Sequence, residues 1–254
     1  MTPLTISRPP ASAGLLWIKE GWRLFKLAPI PWMGMTALAF MVIIGVSMIP
    51  WVGHFAIELL SPFLVAGYFS ASRAALAGEP VTFIHLAAGS QSGRDTLLRI
   101  GVAYMVGSLL VFALVNLLTG SDLRELMQQV QDPTALSPAE LERLVTAALP
   151  AMMLASALFA PLLMATWFSP GLALFDEFSA GRALWWSLWA CWVSWRPILY
   201  YSLVLGTLGM VALVIPFGLG MLVFLPVTLI STYVAYRMIF TPIEEPVLEN
   251  DASP

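Results

Sequence analysis

The sequence predicts an all-α, polytopic membrane helix bundle. It reads as about six transmembrane helices in three hairpins, with two interfacial amphipathic helices and a weak parallel internal repeat. Three observations carry this prediction. First, the chain is 59% hydrophobic and 11% charged, with a mean hydropathy of +0.84, whereas soluble domains are about 25% charged. Second, Pro197 to Tyr236 is a run of 40 residues without Asp, Glu, Lys, Arg or His, bounded by Arg196 and Arg237. One helix of that length would reach roughly 60 Å, twice the ~30 Å hydrocarbon thickness. The run therefore reads as two spans, about 198–215 and 221–238, reversing at Pro216-Phe217-Gly218, where proline stops a helix and glycine tolerates the turn. Third, the cations cluster at alternate connections, as hairpins returning to one side require.

Taken in order, residues 1–12 carry Pro3, Pro9 and Pro10 and are expected to be a disordered tail. Residues 13–28 predict an amphipathic helix. Lys19, Arg23 and Lys26 form a basic stripe, and Ile18, Trp22 and Phe25 repeat its spacing on an adjacent one, as suits a helix lying among lipid headgroups. The competing reading is a plain extension of the first span. Pro29 and Pro31 break this helix before span one, about 32–49. The turn Pro50-Trp51-Val52-Gly53 leads to span two, about 54–76, which contains Glu58 and closes on Arg73. A connector, 77–96, precedes span three, about 97–118, with Asn116 near its far end.

Residues 119–146 are the most polar stretch, with Asp122, Glu125, Asp132, Glu140 and Glu142. Two short helices are expected there, 121–131 and one starting at Ser137, whose S-P-A-E has the form of a capping box. Span four, about 147–168, contains Pro150 and Pro161 and is broken by Ser169-Pro170-Gly171; Leu172–Phe175 is expected to dip back or continue at an angle. Asp176, Glu177 and Arg182 mark the water boundary. Residues 183–195 hold five of the ten tryptophans, Trp185, Trp186, Trp189, Trp192 and Trp195, and predict a second interfacial helix. With Trp17 and Trp22 these rings are the expected headgroup anchors; an aromatic ligand box is the alternative. After the last hairpin, 241–254 is an acidic tail bearing Glu244, Glu245, Glu249 and Asp251.

Six spans place both termini, 77–96 and 169–196 on one side. That side carries Arg8, Lys19, Arg23, Lys26, Arg73, Arg94, Arg99, Arg182, Arg196 and Arg237, against Arg124 and Arg143 on the other. The positive-inside rule then predicts cytoplasmic termini and an outer 119–146. The first and last hairpins also match in spacing. Trp17 precedes Pro29 by the same interval as Trp185 precedes Pro197, and Pro62 precedes Arg73 as Pro226 precedes Arg237, with Phe69 and Tyr233 between. Shared membrane composition is the simpler explanation; the matched offsets favour a parallel repeat.

Little in the chain points to chemistry. No Walker, H-E-x-x-H, G-x-S-x-G or G-x-G-x-x-G string occurs. Two histidines and one cysteine, Cys191, provide no metal or nucleophile–base motif, so no cofactor, metal site or catalytic residue is expected. The sparse basic residues give no nucleic-acid footprint. Two constellations are candidates. His54 and Glu58 share a face of span two, and Asn116 can lie at similar depth; the expectation is an outer-facing polar pocket, against a solvated or paired interfacial carboxylate. Arg73 and Arg237 with Asp176 and Glu177 are candidate ion pairs tying the hairpins together at the cytoplasmic boundary, against ordinary snorkelling of span-end arginines.

The W-x4-W-x2-F-K-x2-P of Trp17 to Pro29, Pro62-x10-Arg73 with A-G-Y at 66–68, and S-x-W-A-C-W-x2-W-R-P of Ser187 to Pro197 carry a resemblance over about 15–240. The chain resembles a group of uncharacterised proteobacterial inner-membrane proteins, YciC-like proteins and the membrane domain that accompanies some glycerophosphodiester phosphodiesterases. The resemblance implies a six-span inner-membrane protein; no phosphodiesterase domain is expected in the chain, so no catalytic residue carries over. The expected function is non-enzymatic, through membrane lipids, a membrane-protein partner or a second copy. The alternative is a small transporter or permease component for an apolar or lipid-like substrate.

Overall fold

Long apolar runs without an internal breaker fold as single helices, and the chain changes direction where proline, glycine or a polar cluster interrupts them. The structure is a computed structural model and describes residues 4–50, 52–119 and 137–242. In chain order these residues form β1 (Leu4–Ile6), α1 (Ala13–Leu27), α2 (Pro29–Ser47) and α3 (Val52–Leu76). A 3-10 turn (Phe83–Ala87) then leads into α4 (Ala88–Gln91), α5 (Arg94–Thr119), α6 (Pro138–Trp167), α7 (Ser169–Phe175) and α8 (Ala180–Val193). The chain continues as α9 (Trp195–Val214), a 3-10 turn (Pro216–Gly218), α10 (Leu219–Ile239) and β2 (Phe240–Pro242). Among the described residues six helices are long and apolar enough to cross a membrane: α2, α3, α5, α6 with α7, α9 and α10. The all-α polytopic bundle expected from the sequence is the observed fold. Large apolar side chains such as Leu117, Met210 and Val214 stand exposed on its outside, where lipid rather than water is their solvent.

The turn between α9 and α10 uses the chemistry anticipated for it. Pro216 opens the 3-10 turn, and Gly218 sits at φ 70° as the residue before α10, a left-handed conformation that costs glycine nothing. Helices in lipid associate through packing and hydrogen bonds rather than through exclusion of water, and both outer hairpins show this. Thr36 Oγ1 and Tyr68 OH, 2.7 Å apart, join α2 to α3. In the last hairpin Tyr201 OH of α9 bonds Ser231 Oγ at 2.8 Å and Thr232 Oγ1 at 3.0 Å on α10.

Three features depart from expectation. The amino-terminal segment is pinned: β1 pairs antiparallel with β2, Thr5 opposite Thr241, and Ser7 N–H donates to Ile239 O at 2.8 Å. Because α1 packs along α10, the residues before one and after the other run side by side and pair. Second, α1 is inserted among the helices instead of lying on the surface. Trp17, Leu24 and Phe25 are buried, and a Cβ at Gly21 would lie 2.7 Å from Ser231 Cβ, one at Gly14 2.5 Å from Pro197 O. Third, the helix opening after Ser137 does not stop before span four. It runs through as the 30-residue α6, tolerating Pro150 and Pro161 in its interior. The Ser169-Pro170-Gly171 break, by contrast, falls where expected, and the chain restarts there as α7, buried against α3. The expected helix at 121–131 and the acidic tail lie outside the described residues.

Candidate functional site

The site forms where two helices stand apart. α3 packs on α5 and α10, and α5 packs on α6, whereas α6 and α10 make at most slight contact. The space between these four helices is a cavity of about 490 Å³, within the usual range of ~300–1,000 Å³ for ligand pockets. Its walls are Ile57, Glu58, Ser61, Pro62 and Val65 of α3, Tyr104 of α5, Leu163, Thr166 and Trp167 of α6, and Thr228, Leu229 and Thr232 of α10, with Pro170 of α7 at one end. Two glycines bring α5 close to its neighbours. A Cβ at Gly101 would lie 2.8 Å from Leu59 O of α3, and one at Gly107 2.6 Å from Leu162 Cδ1 of α6. This close fit carries Tyr104 and Ser108 between the two helices.

Glu58 is the acidic side chain of this cavity and is 8% exposed. Its Oε1 accepts from Ser108 Oγ at 2.8 Å, a bond that supports a carboxyl group away from water. Tyr104 adds a phenol hydroxyl to the wall, and the serine and threonine hydroxyls there turn their hydrogens back to their own helices: Ser61 to Glu58 O, Thr166 to Leu162 O, Thr228 to Phe224 O and Thr232 to Thr228 O, at 2.8–3.0 Å. With those donors occupied, the hydroxyls present acceptor lone pairs to the cavity. The resulting site is an apolar slot with acceptors and one carboxyl group. Such a lining matches a ligand with an apolar body and a few hydrogen-bond donors.

The sequence-predicted residues distribute unevenly around this slot. Glu58 is in its wall. His54 lies one turn earlier on α3, and its side chain is outside the described residues. Asn116 is two turns beyond Ser108 on α5; its amide donates to Phe112 O at 2.9 Å, and it does not line the cavity. The polar residues that sequence reasoning missed are Ser61, Tyr104, Ser108, Thr166, Thr228 and Thr232. Hydroxyl side chains are common in spans, and their relation to Glu58 depends on the register between helices.

At the arginine-bearing ends of the spans, the four candidate ion-pair residues do not pair with one another: among the described residues neither Arg73 nor Arg237 forms an ion pair with Asp176 or Glu177. Arg73 instead places its guanidinium 4.7 Å from the centre of the Phe175 ring. Asp176 is turned toward α10, where Tyr236 OH donates to Oδ2. Burial raises the Asp176 carboxyl above its ordinary value, partly offset by that hydrogen bond. Glu177 is exposed at φ 54°.

The tryptophans also divide. Trp185, Trp189, Trp192 and Trp195 are exposed, and Trp186 packs edge-on against Phe178 at 5.8 Å. Trp22 stacks on Phe25 at 5.4 Å and borders a second apolar cavity, about 470 Å³, between α1, α9 and α10. Trp17 is fully buried, edge-on to Tyr201 at 5.6 Å. It therefore sits in the core, because the small residues of α1 let that helix sink between its neighbours. Trp185 and Trp189 border two further cavities of about 500 Å³, one beside β1 and one against α6.

Over most of its length the chain is similar to a probable inner membrane protein of Burkholderia thailandensis, 28% identical over 243 residues that cover 89% of this chain and 87% of that protein. No protein-family profile matches the chain, and no solved structure matches it. Together with the six apolar helices, the relative makes this a multi-pass protein of the inner membrane.

Proposed function

We propose that the protein is a non-enzymatic, membrane-embedded binding protein for a lipid-like amphiphile held in the Glu58 cavity. The observation that carries this reading is the cavity itself: an apolar slot inside the bundle with one carboxyl group and a set of hydroxyl acceptors. An acyl chain suits the walls of Pro62, Val65, Leu163 and Leu229. A headgroup bearing amine or hydroxyl donors suits Glu58. An intramembrane ionisable group is costly to retain without a role. We place both termini in the cytoplasm on the strength of the cation asymmetry.

A second reading, a small carrier or permease component for the same class of substrate, is favoured by one observation. Three helices that wall the cavity, α3, α6 and α10, each contain an interior proline, Pro62, Pro161 and Pro226, where a helix bends most readily.

The test is lipid retention. Protein is reconstituted with a total bacterial inner-membrane lipid extract and purified in mild detergent, and bound species are counted by native mass spectrometry. Wild type should keep at least one amphiphile per chain that depends on the Glu58 cavity, and retention below is counted for that species. Glu58→Gln should lower retention about tenfold, the equivalent of ~1.4 kcal/mol, and Thr232→Phe, which fills the slot, should abolish it. Equal retention by all three proteins would refute the reading.

A further inference from the structure

Arg73 and Arg237 occupy the last turns of α3 and α10. Both are exposed, and among the described residues neither has a carboxylate within ion-pair distance. The acid best placed to neutralise them is engaged elsewhere, because Asp176 accepts the Tyr236 hydroxyl and its half-buried carboxyl is held above the usual aspartate range by desolvation. Glu177, the next residue, is exposed and forms no ion pair among the described residues. One aromatic group links the two cations. The Arg73 guanidinium lies over Phe175, Phe175 packs edge-on against Tyr233 at 6.0 Å, and Tyr233 lies one turn before Arg237 on the same face of α10. A guanidinium seated on a ring is oriented without using its N–H donors, which stay available for bidentate bonds to a tetrahedral oxyanion.

We propose that Arg73 and Arg237 together seat the phosphate of an anionic phospholipid at the seam between α3 and α10. Charge complementarity selects an anion. Its placement at the ends of two spans, over an aromatic floor of Phe69, Phe175 and Tyr233, selects a lipid headgroup over a soluble anion. The site is separate from the Glu58 cavity and does not depend on it.

The experiment uses the full chain in phosphatidylcholine nanodiscs with and without phosphatidylglycerol, followed by gentle delipidation and native mass spectrometry. Wild type is expected to retain phosphatidylglycerol in preference to phosphatidylcholine. The double variant Arg73→Gln/Arg237→Gln should retain about tenfold less. Arg182→Gln, which removes another arginine seated on an aromatic ring at the same end, should retain as much as wild type. Arg73→Lys/Arg237→Lys keeps the charge but loses the planar fork, and should fall between wild type and the glutamine pair; it is the decisive variant if the latter fails to fold. Excess inorganic phosphate should leave the lipid bound. Equal retention by wild type and both double variants, an equal loss in Arg182→Gln, or displacement by inorganic phosphate would each overturn the proposal.

Discussion

Ser187 repairs a break in the backbone that the sequence leaves open. Where α6 gives way to α7, Phe168 N–H donates to Ser187 Oγ at 2.9 Å, and Ser187 Oγ donates to Met164 O at 2.7 Å. One buried hydroxyl thus satisfies a donor and an acceptor that no helix can serve, and fastens α8 to α6. Cys191, one turn along the same face, completes the contact with its Sγ 3.6 Å from Met164 O. Burial pushes this thiol up to about 12, so it stays protonated through the neutral range and is a poor nucleophile. Maleimide labelling of the folded protein in mild detergent should therefore be slow and should stay flat between neutral and mildly alkaline pH. It should become rapid on denaturation, as mass spectrometry of the alkylated chain will show; fast, pH-dependent labelling of the folded state would contradict the burial. Cys191 was readable as a lone thiol outside any metal or nucleophile–base motif, and Glu58 as the unusual acid of an apolar run. Ser108 and Ser187 were not, because a serine in a span declares its role only once the facing helix is in place.

The helices themselves were legible wherever an apolar run ended on a charge, a proline or a glycine. Pro216-Phe217-Gly218 and the arginines closing α3 and α10 show this directly. Two errors have one physical origin. α1 has the stripes of a surface helix, and Trp17 and Trp22 look alike in sequence, yet Gly14 and Gly21 sit on the face that meets α9 and α10. Small residues permit close approach in a membrane, and the approach takes Trp17 inward while Trp22 remains half outside. The 137–168 region misled for a different reason: charge in its first turns suggested a separate helix, but the helix runs on past Pro150, which forgoes only its own N–H bond. The role of Gly21 is testable. Gly21→Val should force α1 off Ser231, an overpacking cost of about 1–3 kcal/mol, and lower the thermal midpoint in detergent. Gly45→Val should leave it unchanged, since a Cβ at Gly45 meets nothing within 4 Å. Equal midpoints for the two variants would mean that the α1 seam is looser than drawn.

Across the whole molecule each connector leans on the hairpin before it. The 3-10 turn and α4, which precede α5, pack on α3; α8, which precedes α9, packs on α6; and α1, at the head of the chain, packs on α10 of the last hairpin. The backbone contacts are close in both outer cases: a Cβ at Gly67 would lie 2.8 Å from Leu86 Cα, as one at Gly21 would meet Ser231. The first helix therefore closes the circle on the last hairpin, and the β1–β2 pair fastens it. Membrane helices insert first and associate afterwards, so this closure should survive a cut in the chain. Ser92 and Gly93 lie in an exposed connection between α4 and α5, which makes a division there the natural choice. Fragments 1–92 and 93–254, expressed together, should assemble, and an affinity tag on the second should recover the first after detergent extraction. Gly21→Val in the first fragment should reduce recovery several-fold, because α1 can no longer sit against α10. If both fragments insert but never co-purify, the packing of α1 on the last hairpin does not hold the two parts together, and the α3–α5 contact alone is too weak to do so.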